Sequence, residues 1–127
     1  MNTEQKKVMW VEDDEFLSGL ISQRLTKEQF EIFTANNGED ALTILKEHTP
    51  DIFLLDLMLP GEVDGFKLLE TIRANEKTKD KPVLLFSNLA SKEDMDKGYG
   101  LGATKFLIKS SMVPDEIIAE IKSALGV

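Results

Sequence analysis

Residues 50–61 read PDIFLLDLMLPG. Ile52 to Leu55 is an apolar run without polar alternation, the pattern of a strand covered on both faces. Pro50 stands where that strand begins, a position that tolerates a missing amide donor. Asp56 then interrupts what would otherwise be the longest apolar stretch in the chain. A strand buried on both faces belongs to a parallel sheet, so the surrounding sequence should supply further strands separated by helices.

It does so five times. Val8 to Val11, Phe30 to Ala35, Ile52 to Leu55, Val83 to Phe86 and Phe106 to Ile108 are short runs rich in β-branched and aromatic residues. Between them, apolar residues recur at helical spacing: Phe16, Leu17, Leu20, Ile21 and Leu25; Phe66, Leu69 and Ile72; Ile117, Ile118, Ile121 and Leu125. Ser91 ahead of Asp94, and Pro114 followed by Asp115 and Glu116, suit helix starts. Lys92 to Leu101 is the weakest helical segment, because it contains Gly98 and Gly100 and few apolar residues. Five βα units predict a doubly wound, flavodoxin-like (βα)5 fold with a parallel sheet in the order 2-1-3-4-5. Ligands in such folds bind at the carboxyl ends of the strands, beside the switch point between strands 1 and 3.

The chain has 127 residues, the size of one domain, and residues 1–127 are expected to form a single one. Met1 to Lys7 is polar, without the apolar stretch of a signal peptide. No apolar run approaches the roughly 20 residues of a membrane helix. There is no cysteine, which excludes disulfides, thiolate metal sites and thiol catalysis and agrees with a reducing, cytoplasmic setting. Lys plus Arg number 15 and Asp plus Glu 23, giving 15 − 23 = −8. That balance lacks the basic footprint of nucleic-acid binding.

The residues that follow the apolar runs carry the chemistry. Strand 1 ends in Glu12-Asp13-Asp14, strand 3 in Asp56, strand 4 in Ser87 and strand 5 in Lys109, whereas strand 2 ends in Asn36-Asn37. Carboxylates crowded at one rim repel one another, and a hard cation such as Mg²⁺ relieves this through one or two of them plus water. An aspartate can accept a phosphoryl group when that group is correctly held, and phosphoryl transfer depends on positioning and charge neutralisation. Metal on one side, lysine on the other and a serine hydroxyl to donate a hydrogen bond describe a phosphate site around Asp56.

Taken together, Val11-Glu12-Asp13-Asp14, Asp56-Leu57-Met58-Leu59-Pro60-Gly61, Asp64-Gly65, Ser87, Gly102-Ala103 and Phe106-Leu107-Ile108-Lys109 resemble the receiver domain of two-component response regulators, with a chemotaxis-regulator-like fold. The resemblance implies that Asp56 is the phosphoacceptor. It implies a Mg²⁺ site made by Glu12, Asp13, Asp56 and the backbone carbonyl of Met58, with Asp13 the direct ligand and Glu12 acting through water. Ser87 and Phe106 match the hydroxyl and aromatic switch positions, and Lys109 the lysine that pairs with the phosphoryl group. The phosphoryl donor would be a histidine kinase or a histidine phosphotransfer protein, and water would later remove the group. Such a chain is a signalling switch rather than a metabolic enzyme. It would act on a downstream effector or a second copy of itself through the helix 4–strand 5–helix 5 face.

The sequence departs from the family pattern at four places. Glu62-Val63 lengthens the loop after Pro60-Gly61 by one residue. Asn88 follows Ser87 where alanine is common, Ser110 follows Lys109 where proline is usual, and Phe106 lacks a hydroxyl. Two further classes of function compete. An aspartyl-nucleophile phosphohydrolase usually carries a second aspartate two residues on, where this chain has Met58. A receiver reduced to a scaffold is opposed by the intact set Asp13, Asp56, Ser87 and Lys109. Met58 and Leu89, apolar at the positions flanking the path of attacking water, predict slow self-dephosphorylation. Asp14 is expected to cap the first helix, His48 to sit at a helix end, and Trp10 to lie in the core. Lys77, Lys79 and Lys81 read as a solvated loop, while Tyr99 and Met95 fit either core or an output surface. No helix-turn-helix or catalytic segment follows the receiver-like region, so the output is expected in a separate protein, a second copy, or a further domain.

Overall fold

The computed structural model describes residues 5–88 and 91–127; Leu89 lies outside the described residues. Five parallel strands, β1 (Lys7–Val11), β2 (Glu31–Ala35), β3 (Ile52–Leu55), β4 (Val83–Ser87) and β5 (Lys105–Ile108), form one sheet in the order β2-β1-β3-β4-β5. The helices are α1 (Glu15–Lys27), α2 (Gly38–Leu45), α3 (Gly65–Ala74), α4 (Lys92–Gly100) and α5 (Pro114–Leu125), with a short 3₁₀ turn at Lys109–Ser111. Architecture and strand order are those expected of five βα units.

Strand periodicity divides the core in two. Val8, Trp10, Ile52, Leu54, Leu84, Phe86 and Leu107 point to one face and pack with Ile21 and Leu25 of α1 and Ile117, Ile118 and Ile121 of α5. Their neighbours Met9, Val11, Phe53, Leu55, Val83, Leu85 and Phe106 point the other way, onto Ala41 of α2 and Leu68, Leu69 and Ile72 of α3. Both faces are therefore dry, which explains why the strands read as continuous apolar runs. In α1 the apolar spacing is broader than the buried face. The Leu17–Ile21–Leu25 row meets the sheet, while Phe16, one residue out of phase, is 83% exposed.

Local signals account for the helix ends. Asp14 accepts the N–H groups of Phe16 and Leu17, as its capping reading predicts, and Ser91 accepts that of Asp94. In α5 the Glu116 carboxylate accepts the Val113 N–H ahead of Pro114. Arg73 at the end of α3 donates to the carbonyls of Lys79, Lys81 and Gly102, tying the lysine-bearing loop before β4 to the loop before β5. His48 lies beyond the end of α2, its ring against Phe33.

Gly65 begins α3 directly beneath the end of β3. A Cβ there would lie 2.4 Å from the Asp56 carbonyl oxygen and 2.8 Å from the Leu57 Cα, so the helix can start this close to Asp56 only with glycine. Both obstructing atoms are backbone and cannot swing away. Gly65→Ala should therefore lose about 1–3 kcal/mol of stability in urea unfolding, the usual cost of overpacking. Unchanged stability would show that the strand end can retreat.

Candidate active site

The site is built from strand ends. The Asp56 N–H donates to the Val11 carbonyl at 3.0 Å and the Glu12 N–H to the Ala35 carbonyl at 3.0 Å, so the ladder carries both residues just past the sheet rim. Ser87 ends β4, 1% exposed, and lies in register with Ile108, the residue before Lys109. The structure thus brings Glu12, Asp13, Asp56, Ser87 and Lys109 to one end of the sheet, as the order of strand ends predicted.

Asp56 is 5% exposed, and each carboxylate oxygen has its own donor. Oδ1 accepts the Met58 N–H at 3.0 Å and Oδ2 accepts Lys109 Nζ at 2.8 Å. Glu12 is 2% exposed. Its Oε2 accepts the Asp14 N–H at 3.1 Å, while Oε1 lies 2.6 Å from Lys109 Nζ. That second contact is an ion pair without hydrogen-bond geometry, so Oε1 is a buried oxygen with a charge beside it but no directed donor. The ammonium also stands 5.5 Å from the centre of the Phe86 ring. Lys109 opens a 3₁₀ turn and is followed by Ser110 rather than the proline common in the family pattern, and no cis peptide bond occurs among the described residues.

Asp13 projects into solvent at the mouth. One carboxylate oxygen from each of Glu12, Asp13 and Asp56 fits within a 4.8 Å span. This all-oxygen set, two members buried and one open, suits a hard divalent cation that keeps several waters. The undirected Glu12 Oε1 supplies an oxygen that such an ion, or a water on it, would satisfy. Met58, two residues past Asp56, is 62% exposed between the buried Leu57 and Leu59. Phe106 is buried against the α4 side of the sheet. The N–H of Phe106 donates to the Tyr99 hydroxyl at 3.1 Å, so Tyr99 joins α4 to β5 while Met95 packs onto the core.

The contact between Lys109 and Glu12 was not legible in the sequence. β5 and β1 are separated in the sheet by β4 and β3. With strands roughly 4.8 Å apart, only a long cationic side chain reaches back over a neighbour. Spacing along the chain carries no trace of that.

Charge follows from burial. Desolvation pushes the Glu12 carboxyl from its ordinary 4.5 up to about 7. The Lys109 contact and the Asp14 N–H pull it down without cancelling this, and the Asp56 charge adds to the rise. Burial lowers the affinity of Lys109 for its proton, but the hydrogen bond to Asp56 and the charges of Asp56 and Glu12 beside it outweigh that and leave it above the ordinary lysine value. Lysine stays charged, and the proton affinity of Glu12 is raised into the neutral range. Because its folded-state value is raised, its contribution to stability is complete below about pH 4.5 and lost as the pH climbs through about 7. In metal-free buffer, stability relative to Glu12→Gln should fall between about pH 5 and pH 8 by on the order of 1–3 kcal/mol. A difference that is flat across this range would refute the assignment.

The response regulator receiver domain family matches residues 8–122. The phosphate regulon transcriptional regulatory protein PhoB of Rhizobium meliloti is 34% identical over 119 residues, covering 94% of this chain and 52% of PhoB. The chain spans about half the length of the curated relatives it matches. Chemotaxis protein CheY4 of Vibrio cholerae superimposes with a TM-score of 0.88 at 25% identity, covering 96% of this chain and all of CheY4. The BeF3-activated N-terminal receiver domain of Klebsiella pneumoniae RstA gives 0.83 at 28% identity, covering 94% of this chain and 98% of that domain. A (βα)5 sheet with carboxylates and a lysine gathered at its carboxyl rim, matched over nearly its whole length, belongs to the response regulator receiver domain family of two-component signalling.

Proposed function

We propose that residues 1–127 act as one receiver domain in which Asp56 accepts a phosphoryl group, in a Mg²⁺-dependent reaction, from a histidine kinase or a histidine phosphotransfer protein. The observation that carries this reading is the pairing of Asp56 with Lys109 inside the three-carboxylate cluster. Asp13, Glu12, Asp56 and the Met58 carbonyl would hold Mg²⁺, which supplies charge neutralisation on the phosphoryl oxygens. Asp56 is the nucleophile, and its buried position excludes all but a small incoming group. Lys109 is already charged and aimed at Asp56 Oδ2, so it can follow negative charge onto a phosphoryl oxygen without a proton transfer. Ser87, at the neighbouring strand end, is the hydroxyl donor for a second oxygen. No helix among the described residues is long and apolar enough to cross a membrane, in keeping with action in the cytoplasm.

Output would pass through the α4–β5–α5 face to an effector protein or a second copy of the chain, with no direct contact to nucleic acid. The Tyr99–Phe106 hydrogen bond supports this: it links the backbone of the proposed aromatic switch to α4, so a shift of Phe106 is felt by that helix. A phosphohydrolase reading is disfavoured by Met58, which offers no acid where one would be needed.

Incubation with acetyl phosphate and Mg²⁺ should add one phosphoryl group by intact mass, labile to hydroxylamine, and Asp56→Asn should remain unlabelled. Absence of label on the parent protein, or equal label on the variant, would refute the assignment. Self-dephosphorylation should be slow, because the exposed Met58 side chain cannot orient a water. Met58→Asn should speed loss of the label about 5- to 10-fold, the worth of one hydrogen bond, and a slower loss would contradict the proposal.

A further inference from the structure

Glu39 lies in the first turn of α2 and takes no part in the phosphoryl chemistry described above. Its carboxylate nonetheless fills the bend of the loop that runs from Asp56 to Asp64 and carries Met58. Glu39 Oε2 accepts the Glu62 N–H at 3.0 Å. Gly61 has φ +90°, and a Cβ on it would fall 2.7 and 2.8 Å from the two Glu39 carboxylate oxygens. On the helix side, a Cβ on Gly38 would lie 2.2 Å from the Val63 carbonyl oxygen. Loop residues 61–63 and helix residues 38–39 therefore meet at successive positions, with glycine on each side of the contact. The helix end is itself fixed, since Asn37 accepts the Asp40 N–H at 2.7 Å.

The loop thus has two anchors. Near Asp56 it is held by the buried side chains of Leu57 and Leu59 and by the Met58 N–H on Asp56 Oδ1. Its far half rests on α2. Met58 lies within the near anchor with its side chain in solvent, and the backbone that leaves it through Leu59 must run to the far anchor, so the direction of its carbonyl follows from the path of the chain on both sides.

We propose that Glu39 is a positioning residue for the cation site: by accepting the Glu62 N–H it fixes the bend that directs the Met58 carbonyl, and a divalent cation binds more tightly for it. This rests on the Mg²⁺ reading above. The hydrogen bond, not the charge, is the active feature, because Glu39 touches the loop backbone and is not a member of the three-carboxylate cluster.

The test is a Mg²⁺ titration of the ¹⁵N-labelled chain followed by amide shifts, together with solvent exchange of the Glu62 amide. Glu39→Ala should weaken Mg²⁺ binding about 3- to 10-fold and speed Glu62 exchange, the effect of one hydrogen bond. Glu39→Gln, whose amide oxygen accepts the same N–H, should stay within about twofold of the parent. Equal changes in both variants would assign the effect to charge and overturn the proposal. Faster Glu62 exchange in Glu39→Ala with unchanged Mg²⁺ affinity would also overturn it, leaving the bond a purely structural one. A parent protein that binds no Mg²⁺ would sink the Mg²⁺ reading as well, and it is told apart because the parent itself fails.

Discussion

One ammonium group between two buried carboxylates is the constraint around which the rim of this sheet is arranged. Asp56 and Glu12 stand on β3 and β1, nearly removed from water, and Lys109 reaches both from the edge strand. Burying charge costs several kcal/mol per ion unless the partners are well placed, and a trio of two anions and one cation cannot be fully compensated. The structure meets part of that cost with backbone donors, the Met58 N–H on Asp56 and the Asp14 N–H on Glu12. The remainder shows as the raised proton affinity of Glu12. A fold selected for stability alone would replace such a trio with apolar side chains, so its presence points to use.

The same arithmetic explains why the site suits further positive charge. With Lys109 in place, Glu12, Asp13 and Asp56 leave an excess of negative charge at the mouth, and Asp13 presents it to solvent. A divalent ion held by these carboxylates would supply charge that offsets the repulsion, leaving Lys109 able to meet an anionic group at the rim. The cation site and the lysine are therefore coupled parts of one charge balance, which is why neither can be assigned a contribution alone.

Fold and site differed in how far they could be read from sequence. The sheet was legible because both faces are dry: runs such as Ile52 to Leu55 have no reason to be continuous otherwise. Site residues were legible because a parallel sheet puts all strand ends at one rim, so position along the chain translates into proximity. Two kinds of feature did not translate. Phe16 follows the general helical spacing of α1 but falls outside the narrower row that meets the sheet, and spacing does not fix the width of a contact. The reach of Lys109 to Glu12, and of Glu39 to the Glu62 N–H, depends on side-chain length and loop path, which leave no periodic mark.

α4 is attached to the sheet in the way the proposed output face requires. Among its residues only Gly98 is buried, and a Cβ there would meet Leu85 at 2.6 Å, so the helix approaches the sheet most closely through a glycine, with Met95 a half-buried apolar side chain packed onto the core. Other attachments are polar or peripheral: the Lys97 ammonium over the Phe66 ring at 4.5 Å, and the Tyr99 hydroxyl on the Phe106 N–H. A helix with little buried apolar area has little to lose on moving, which places it at the low-stability end of the fold. The trio at the rim is the opposite, buried and held by ion pairs and backbone donors. Coupling between them needs a contact that is cheap to break yet directional, and a single hydrogen bond between Tyr99 and the backbone of Phe106 has both properties. Weak packing of α4, a flaw if the helix is judged by its sequence alone, is what would allow the change of charge proposed at Asp56 to be felt at the surface.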